Sequence, residues 1–364
     1  MSGTATGPIR VGVIGCGEIA QLMHLPLLHE LNEFSISALC DLSPSTVEHL
    51  GDRYGVGFRT TDYGELLASD GVDAVVVCTY DHAPVVAVAI EAGKHVLVEK
   101  PLAFTPAEAR PLVDAAAAGG LVALVGYMKL YDRAVERAID RVAGMEGVRS
   151  LHVHDFAGRF DRHGALYTQF RASDVPAALL EGSRRDIAGR IAIALGADHA
   201  GYVDLYTLLL MLGSHDLAVL RAVCGAPERV VHAQARGDSQ LLAVFEYADG
   251  VPCIFEIGVG TAYEWWDEWL AVYGGREELR IGFPNPYIRY APTVLRTREA
   301  DDGSAAERIV QVSHDSPFRR ELLHFADCIN GAATPRTPFA DGAFDLELAS
   351  EIIRALPPRK GAEA

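Results

Sequence analysis

The sequence predicts two architectures in series. The first third is α/β, built on a doubly wound parallel sheet. The remainder is α+β, built on an open, mainly antiparallel sheet with helices on one face. Three observations carry this. Short, nearly continuous apolar runs alternate with helical segments up to Val125, the pattern of parallel strands covered on both faces. Beyond Gly126 the rhythm changes to a helix-rich stretch and then to strand-like runs at hairpin spacing. Finally, 364 residues with 49% hydrophobic and 22% charged side chains are a globular composition, long enough for two domains, 1–126 and 127–364.

The elements follow in order. Ile9 to Ile14 reads as a buried strand and Glu18 to Asn32 as the helix after it. Further strands fit Ile36 to Cys40, Val72 to Thr79, His95 to Val98 and Leu121 to Val125. Helices fit Ser45 to Tyr54, Ala83 to Ala92 and Pro106 to Ala118, the last opened by Thr105 as N-cap and Pro106 in the first turn. In the second part a helix from Asp132 to Ala143 precedes a strand from Val148 to Phe156, and helices dominate from Phe160 to Cys224. Strand character returns at Arg229 to Ala235, Leu241 to Tyr247, Cys253 to Thr261, Trp265 to Tyr273 and Glu278 to Ile281. Ala248-Asp249-Gly250 and Gly274-Gly275 are the turn signals between them. Helices from Pro317 to Asn330 and Asp341 to Arg354 finish the chain.

Composition excludes some partners. Acidic residues outnumber basic ones by 49 to 32, a formal charge of −17, and nucleic acid or an anionic membrane surface rewards the opposite balance. Apolar runs such as Leu121 to Val125 and Leu208 to Leu212 are too short to span a bilayer, and the N-terminus lacks the basic region of a secretory signal. The six cysteines show no CxxC spacing and no His placed to complete a zinc pattern. The expectation is a cytoplasmic protein with no metal site.

The first chemical signal is Gly15-Cys16-Gly17-Glu18-Ile19-Ala20, set between the first strand and the first helix. In a GxGxxA turn of this kind Gly15 makes the tight turn, Gly17 lets the backbone approach a pyrophosphate, and Ala20 allows the helix to pack on the strand. The pyrophosphate then rests on free N–H groups of the helix, so no local Lys is needed. Asp41 ends the second strand 21 residues after Ala20, where a carboxylate accepts from ribose hydroxyls and repels a 2′-phosphate. Leu42, Ser43 and Pro44 follow, with no Arg. The first domain is therefore expected to be a Rossmann domain that binds NAD, with NADP possible.

Taken with that turn, the stretch Val72 to Leu102 makes the sequence resemble the Gfo/Idh/MocA family, the relatives of glucose-fructose oxidoreductase and inositol dehydrogenase. The resemblance covers both domains. It includes His82-Ala83-Pro84, Glu91-Ala92-Gly93-Lys94-His95, Glu99-Lys100-Pro101, Val125-Gly126-Tyr127, Leu212-Gly213-Ser214-His215 and Phe318-Arg319-Arg320-Glu321. It implies hydride transfer between a nicotinamide and a hydroxyl-bearing or keto carbon of a sugar, cyclitol or similar polyhydroxylated substrate. It implies catalytic roles for Lys100 and His215, and cofactor contacts at Gly15, Gly17, Glu18, Ile19, Asp41, Thr79, Tyr80, His82, Glu99 and Lys100. Lys100, Lys129 and His215 would bind substrate, and a homodimer or homotetramer would form through the C-terminal sheet. On physical grounds Pro101 keeps Lys100 extended at the carboxyl end of a strand, the crevice where open α/β sheets bind ligands, and an ammonium there can donate to a reacting oxygen.

Several features depart from that pattern. The family's Asp-x-Gly-x-His reads Met211-Leu212-Gly213-Ser214-His215 here, so His215 lacks a carboxylate one turn back. Another polar group, such as Asp155 or Tyr206, would have to reach it, or Lys100 would carry the proton. The link Thr79-Tyr80-Asp81 is about two residues short. Between Phe156 and Tyr206 lie Arg159, Arg162, Arg171, Arg184, Arg185 and Arg190, suited either to a substrate anion or, with Asp161, Asp174, Glu181 and Asp186 interleaved, to a solvated surface. Tyr263, Trp265 and Trp269 share one strand face with Trp266 on the other, and Glu256 interrupts an apolar run. The departure at Met211 leaves a non-catalytic, dinucleotide-binding sensor as the alternative to an enzyme.

Overall fold

The computed structural model describes residues 7–158, 167–260, 265–301 and 303–361. Arg159, Asp161, Arg162 and Tyr263 lie outside the described residues. The chain divides into two compact units.

The first unit holds strands β1 (Ile9–Ile14), β2 (Phe34–Cys40), β3 (Phe58–Thr60), β4 (Ala74–Val77), β5 (His95–Glu99) and β6 (Ala123–Gly126). They form one sheet in the order β3-β2-β1-β4-β5-β6, with every pair parallel. This is the doubly wound dinucleotide-binding order, whose crevice opens at the carboxyl ends of β1 and β4. β4 and β6 are buried at every residue, as strands covered on both faces must be. β3 was not anticipated, because three residues, two half-buried and one buried, carry no readable period. The first helix differs from the regular one expected: it is π-type over Ala20–His24 and α-helical over Leu25–Glu30. Pro26 has no N–H for the preceding turn, and the helix widens just before it. Thr105 and Glu108 form a reciprocal capping box on Pro106–Gly119.

Two segments of the expected second domain, Tyr167–Ala194 and Phe318–Leu346, group with this first unit. Arg190, on the helix Ala177–Leu195, forms ion pairs with Asp81 and Glu108. The Val125 N–H donates to the Thr337 carbonyl at 2.8 Å, and a Cβ added to Gly342 would lie 3.0 Å from Leu102 and Val125.

The second unit is built on β7 (Ser150–Ala157), β8 (Arg229–Arg236), β9 (Gln240–Glu246), β10 (Pro252–Val259), β11 (Asp267–Tyr273), β12 (Glu277–Phe283), β13 (Val294–Asp301) and β14 (Ser304–Gln311). Their order is β14-β13-β12-β11-β7-β10-β9-β8, antiparallel throughout except for β7 beside β10. β7 and β9 alternate strictly between buried and half-buried residues, so one face is covered. Arg133–Ala143 packs on β12 and β13, and Ser214–Cys224 on β7. β13 and β14 were not anticipated, since β14 is exposed along nearly its whole length and shows no apolar alternation. The helical run Ala200–Cys224 is apolar enough by composition to cross a membrane, yet 61% of its 18-residue apolar window is buried inside the protein, as in a core helix.

The sheet register settles two placements. Glu256 lies on the open face, where its carboxylate bonds His154 at 2.7 Å. Trp269 stacks on His154 with centroids 5.2 Å apart, and the Arg280 guanidinium sits 3.9 Å from the Trp269 ring centroid. Trp265 and Trp266 precede β11, so the strand face expected for Trp265 and Trp269 holds Trp269 without Trp265, which is exposed. The Trp266 indole N–H donates to Glu268 at 2.8 Å.

Candidate functional site

In the first unit the glycine-rich turn leaves β1 and enters the helix at Ala20, which is fully buried. Gly15 has φ +87, and a Cβ there would lie 2.6 Å from the Cys78 and Thr79 backbone, so only glycine fits. Gly17 is the reverse case: a Cβ would meet nothing within 4 Å, which leaves open the approach a pyrophosphate needs. Glu18 is exposed and Ile19 half-buried beside it. Asp41 follows β2, and its Oδ2 accepts from the Cys16 N–H at 2.7 Å, its Oδ1 from the Ser43 N–H at 2.9 Å. The carboxylate is thus aimed by the turn it would serve. A tight turn without room for a Cβ, open space beyond it and a fixed carboxylate 21 residues on fit a dinucleotide.

At the end of β4 the Thr79 hydroxyl donates to the Asp81 carbonyl at 2.9 Å. Tyr80 is 47% exposed, its ring 5.3 Å from that of Phe104. His82 is buried at the start of the helix Ala83–Glu91, with Nδ1 2.5 Å from the Pro101 carbonyl. Burial pulls its pKa below the ordinary value despite that bond. Glu99 and Lys100 close β5. Lys100 is half-buried, and its peptide bond to Pro101 is cis. Glu99 is buried against His24 at 2.7 Å. Burial pushes the Glu99 carboxyl up, but the His24 bond and the charges of His24 and Lys100 outweigh it and hold it below the usual range. Glu99 is therefore tied to His24 and to the backbone N–H of Lys100, which makes it a support for the Lys100 backbone. Glu321 is fully buried in the same unit, and neither carboxyl oxygen finds a hydrogen-bond partner among the described residues. Burial, and then the charge on Glu99, push its pKa well above the ordinary value.

The second unit brings together a different set. Lys129 sits on the short turn Met128–Tyr131 and is 4% exposed. Its ammonium bonds Glu268 and lies 5.0 Å from the Phe283 ring centroid. Asp155, Asp216 and Glu268, all buried, each place a carboxylate oxygen within 4.8 Å of the other two. Burial lowers the Lys129 pKa, while Asp216 and Asp155 oppose the shift. His215 precedes Asp216 at the start of Ser214–Cys224, half-buried, with the Tyr127 ring edge-on at 6.3 Å. Met211 is 39% exposed on the π-type turn Leu209–Gly213. Of the two groups considered as its replacement, Tyr206 is engaged elsewhere: its hydroxyl is 3.4 Å from Ser350, and burial pushes its pKa up to about 12. Asp155 belongs to the carboxylate set.

Sequence reasoning named Asp155 only as a partner for His215 and did not group it with Asp216 and Glu268; it gave Asp174 and Glu321 no role of their own and did not single out His24. A signal existed for the first. In β7 the buried positions are Leu151, Val153, Asp155 and Ala157, so the apolar alternation itself puts Asp155 inside. The segment of interleaved charges resolves in part: Arg190 is held by Asp81, Glu108 and Asp186, whereas Arg171, Arg184 and Arg185 are solvent-exposed.

Comparison with known proteins bears on the fold and the family. Residues 9–127 match the family model described as an oxidoreductase family NAD-binding Rossmann fold, and residues 207–361 match the C-terminal alpha/beta domain of the same family. The chain is 35% identical over 262 residues to an inositol 2-dehydrogenase of Burkholderia cenocepacia, covering 70% of this chain and 68% of that protein. It is 34% identical over 120 residues to a D-glucoside 3-dehydrogenase of Escherichia coli, covering 32% of this chain and 33% of that one. With several such relatives the match spans only about a third to a half of their length. The fold matches an aldose-aldose oxidoreductase from Caulobacter crescentus at TM-score 0.74 and 20% identity, covering 96% and 97% of the two chains. It matches a 3-ketoreductase from Actinomadura kijaniata, solved with NADP, at TM-score 0.71 and 21% identity, over the same shares.

Proposed function

As the chain belongs to the Gfo/Idh/MocA family of oxidoreductases, we propose that it transfers a hydride between a nicotinamide dinucleotide and a hydroxyl-bearing or keto carbon of a sugar, cyclitol or similar polyhydroxylated compound. The observation that carries this reading is the glycine-rich turn: Gly15 has no room for a Cβ, Gly17 faces open space, and Asp41 is held by the turn itself. Gly15, Gly17, Glu18, Ile19 and Asp41 would hold the pyrophosphate and adenosine ribose, and Thr79, Tyr80 and His82 the nicotinamide side. The bound dinucleotide supplies the hydride acceptor or donor.

The chain's own residues then handle the oxygen and its proton. When the substrate is reduced, the Lys100 ammonium donates to the carbonyl oxygen and hands it the proton; when it is oxidised, the neutral Lys100 amine receives the hydroxyl proton. Glu99, fixed by His24, anchors the backbone from which Lys100 extends. His215 and Lys129 bind substrate hydroxyls, with His215 as a second group for proton transfer. The acidic balance and the six free cysteines, which form no disulfide, support a cytoplasmic protein acting on a small molecule. The open face of the second sheet, with His154 and Trp269 stacked on it, supports assembly into a homo-oligomer through that sheet.

Lys100→Ala tests the assignment. Binding of NAD(H), followed by fluorescence titration, should persist because the pyrophosphate contacts lie elsewhere. Turnover should fall by a factor of roughly 10² to 10⁴, the range for a lost proton-transfer group. Full turnover in the variant would remove Lys100 from the mechanism.

A further inference from the structure

We infer that Asp174, carried on a strap across the adenosine end of the dinucleotide crevice, is a specificity-determining residue that excludes a 2′-phosphate and so commits the crevice to NAD. The inference rests on the oxidoreductase reading above.

The strap is the chain from Tyr167 to Pro176, and it is pinned along its length to the first unit. The Gln169 side-chain amide donates to Glu18 at 3.2 Å. The Phe170 N–H donates to Gln21 Oε1 at 2.8 Å, and the Gln21 amide donates back to the Phe170 carbonyl at 3.0 Å and to the Cys16 carbonyl at 2.9 Å. The Phe170 ring stacks on His49, with centroids 4.3 Å apart and planes 13° from parallel. Four residues on, Asp174 accepts from the Ser43 hydroxyl at 2.5 Å and from the Ser45 N–H at 2.9 Å. Beyond the strap, Arg190 holds the following helix to Asp81 and Glu108.

These anchors have a common logic. Glu18 and Gln21 belong to the helix entered from the glycine-rich turn, and Ser43, Ser45 and His49 to the helix Pro44–Tyr54 and its N-cap, just after Asp41. The strap therefore joins the two pieces of chain that meet the adenosine half of a dinucleotide in this fold. Ser43 links both carboxylates, its N–H donating to Asp41 and its hydroxyl to Asp174. The Ser45 N–H is one of the amides that a helix leaves unpaired at its N-terminus, a natural seat for an anion. Here the protein's own carboxylate takes that seat. The Ser43 and Ser45 bonds hold Asp174 at a pKa of about 2, so it is charged at neutral pH. A 2′-phosphate next to Asp41 would meet donors already engaged and a second negative charge. Residues 42–47 read Leu-Ser-Pro-Ser-Thr-Val and offer no Lys or Arg to offset it. An NADP-binding site needs such a cation, typically an Arg.

The test is titration of the full-length protein with NADH and NADPH at fixed ionic strength, read by nicotinamide fluorescence, for the wild type, Asp174→Asn and Asp174→Ala. Asn keeps the size and removes the charge; Ala removes both. The wild type should prefer NADH by about tenfold or more, and both variants should tighten NADPH by about tenfold while the NADH Kd moves less than about twofold, the signature of a relieved like-charge contact. Thermal unfolding with NADH confirms that each variant folds. Should one fail to fold, the other decides. An unchanged NADPH Kd in the folded variants, or parallel weakening of both dinucleotides, makes the strap merely structural and overturns the inference alone. A wild-type protein that binds neither dinucleotide overturns the oxidoreductase reading and this inference with it.

Discussion

Replacing Lys129 by Met removes the cation that pairs with Glu268 and faces Asp155 and Asp216. The Lys129 side chain is 5% exposed and that of Glu268 is not exposed at all, so solvent does little to screen what remains. Met fills most of the vacated volume, and the loss is chiefly electrostatic. Removing one partner of a buried ion pair costs about 3–5 kcal/mol. For a domain of this size, about 2–4 °C of Tm accompanies each kcal/mol, so Tm should fall by roughly 6–20 °C. The pH dependence has a definite sign. Without the ammonium, the three carboxylates raise one another's folded-state pKa values. A carboxyl whose pKa is raised on folding contributes stability that is present at low pH and lost as pH rises. The deficit of Lys129→Met should therefore be small near about pH 5 and large near about pH 8. Glu268→Gln, which leaves Lys129 with Asp155 and Asp216 as counter-charges, should cost less. Thermal unfolding followed by circular dichroism at the two pH values measures both variants. An unchanged Tm, or a deficit that grows toward low pH, would refute the reasoning.

Two further outcomes are expected. His215→Ala should lower kcat/KM clearly less than Lys100→Ala, and Met211→Asp should move the pH profile upward by up to about one unit while the fold survives, since Met211 is 39% exposed; a profile identical to wild type would take the His215 proton off the reaction path. Glu321 has its pKa raised by burial, so the stability it contributes is complete below the unfolded-state value of about 4.3 and declines as pH rises above it. Glu321→Gln should match wild type in acid and exceed it by a widening margin in urea unfolding at neutral and basic pH, whereas a margin that narrows as pH rises would show that Glu321 is ionised in the folded state.

The parallel sheet was legible because its strands are buried on both faces and leave unbroken apolar runs such as Ala74–Val77. The glycine-rich turn was legible because a backbone constraint dictates residue type: nothing but glycine fits against Cys78 and Thr79. What escaped was set by contacts distant in sequence. Glu268 pairs with a Lys 139 positions away, and Asp174 bonds a Ser 131 positions away, and neither spacing leaves a local periodicity. The strap looked like a solvated charged segment because its charges are exposed; its meaning lies in the neutral groups it touches, the Gln21 amide and the Ser43 hydroxyl. β14 escaped for the opposite reason to the core strands, since it buries almost nothing. At His215 the missing Asp was visible, but the buried Asp216 beside it was hidden within an otherwise ordinary helical run.

The most direct test of the central claim follows the hydride itself. The protein is incubated with NAD and a panel of cyclitols and glycosides carrying deuterium on their hydroxyl-bearing carbons, and the reduced nicotinamide is examined for the label. The account predicts deuterium at the nicotinamide C4 with at least one member of the panel, appearing roughly 10² to 10⁴ times more slowly in Lys100→Ala although NAD still binds. Tight NAD binding with no label transferred to or from any member, in either direction, would contradict it.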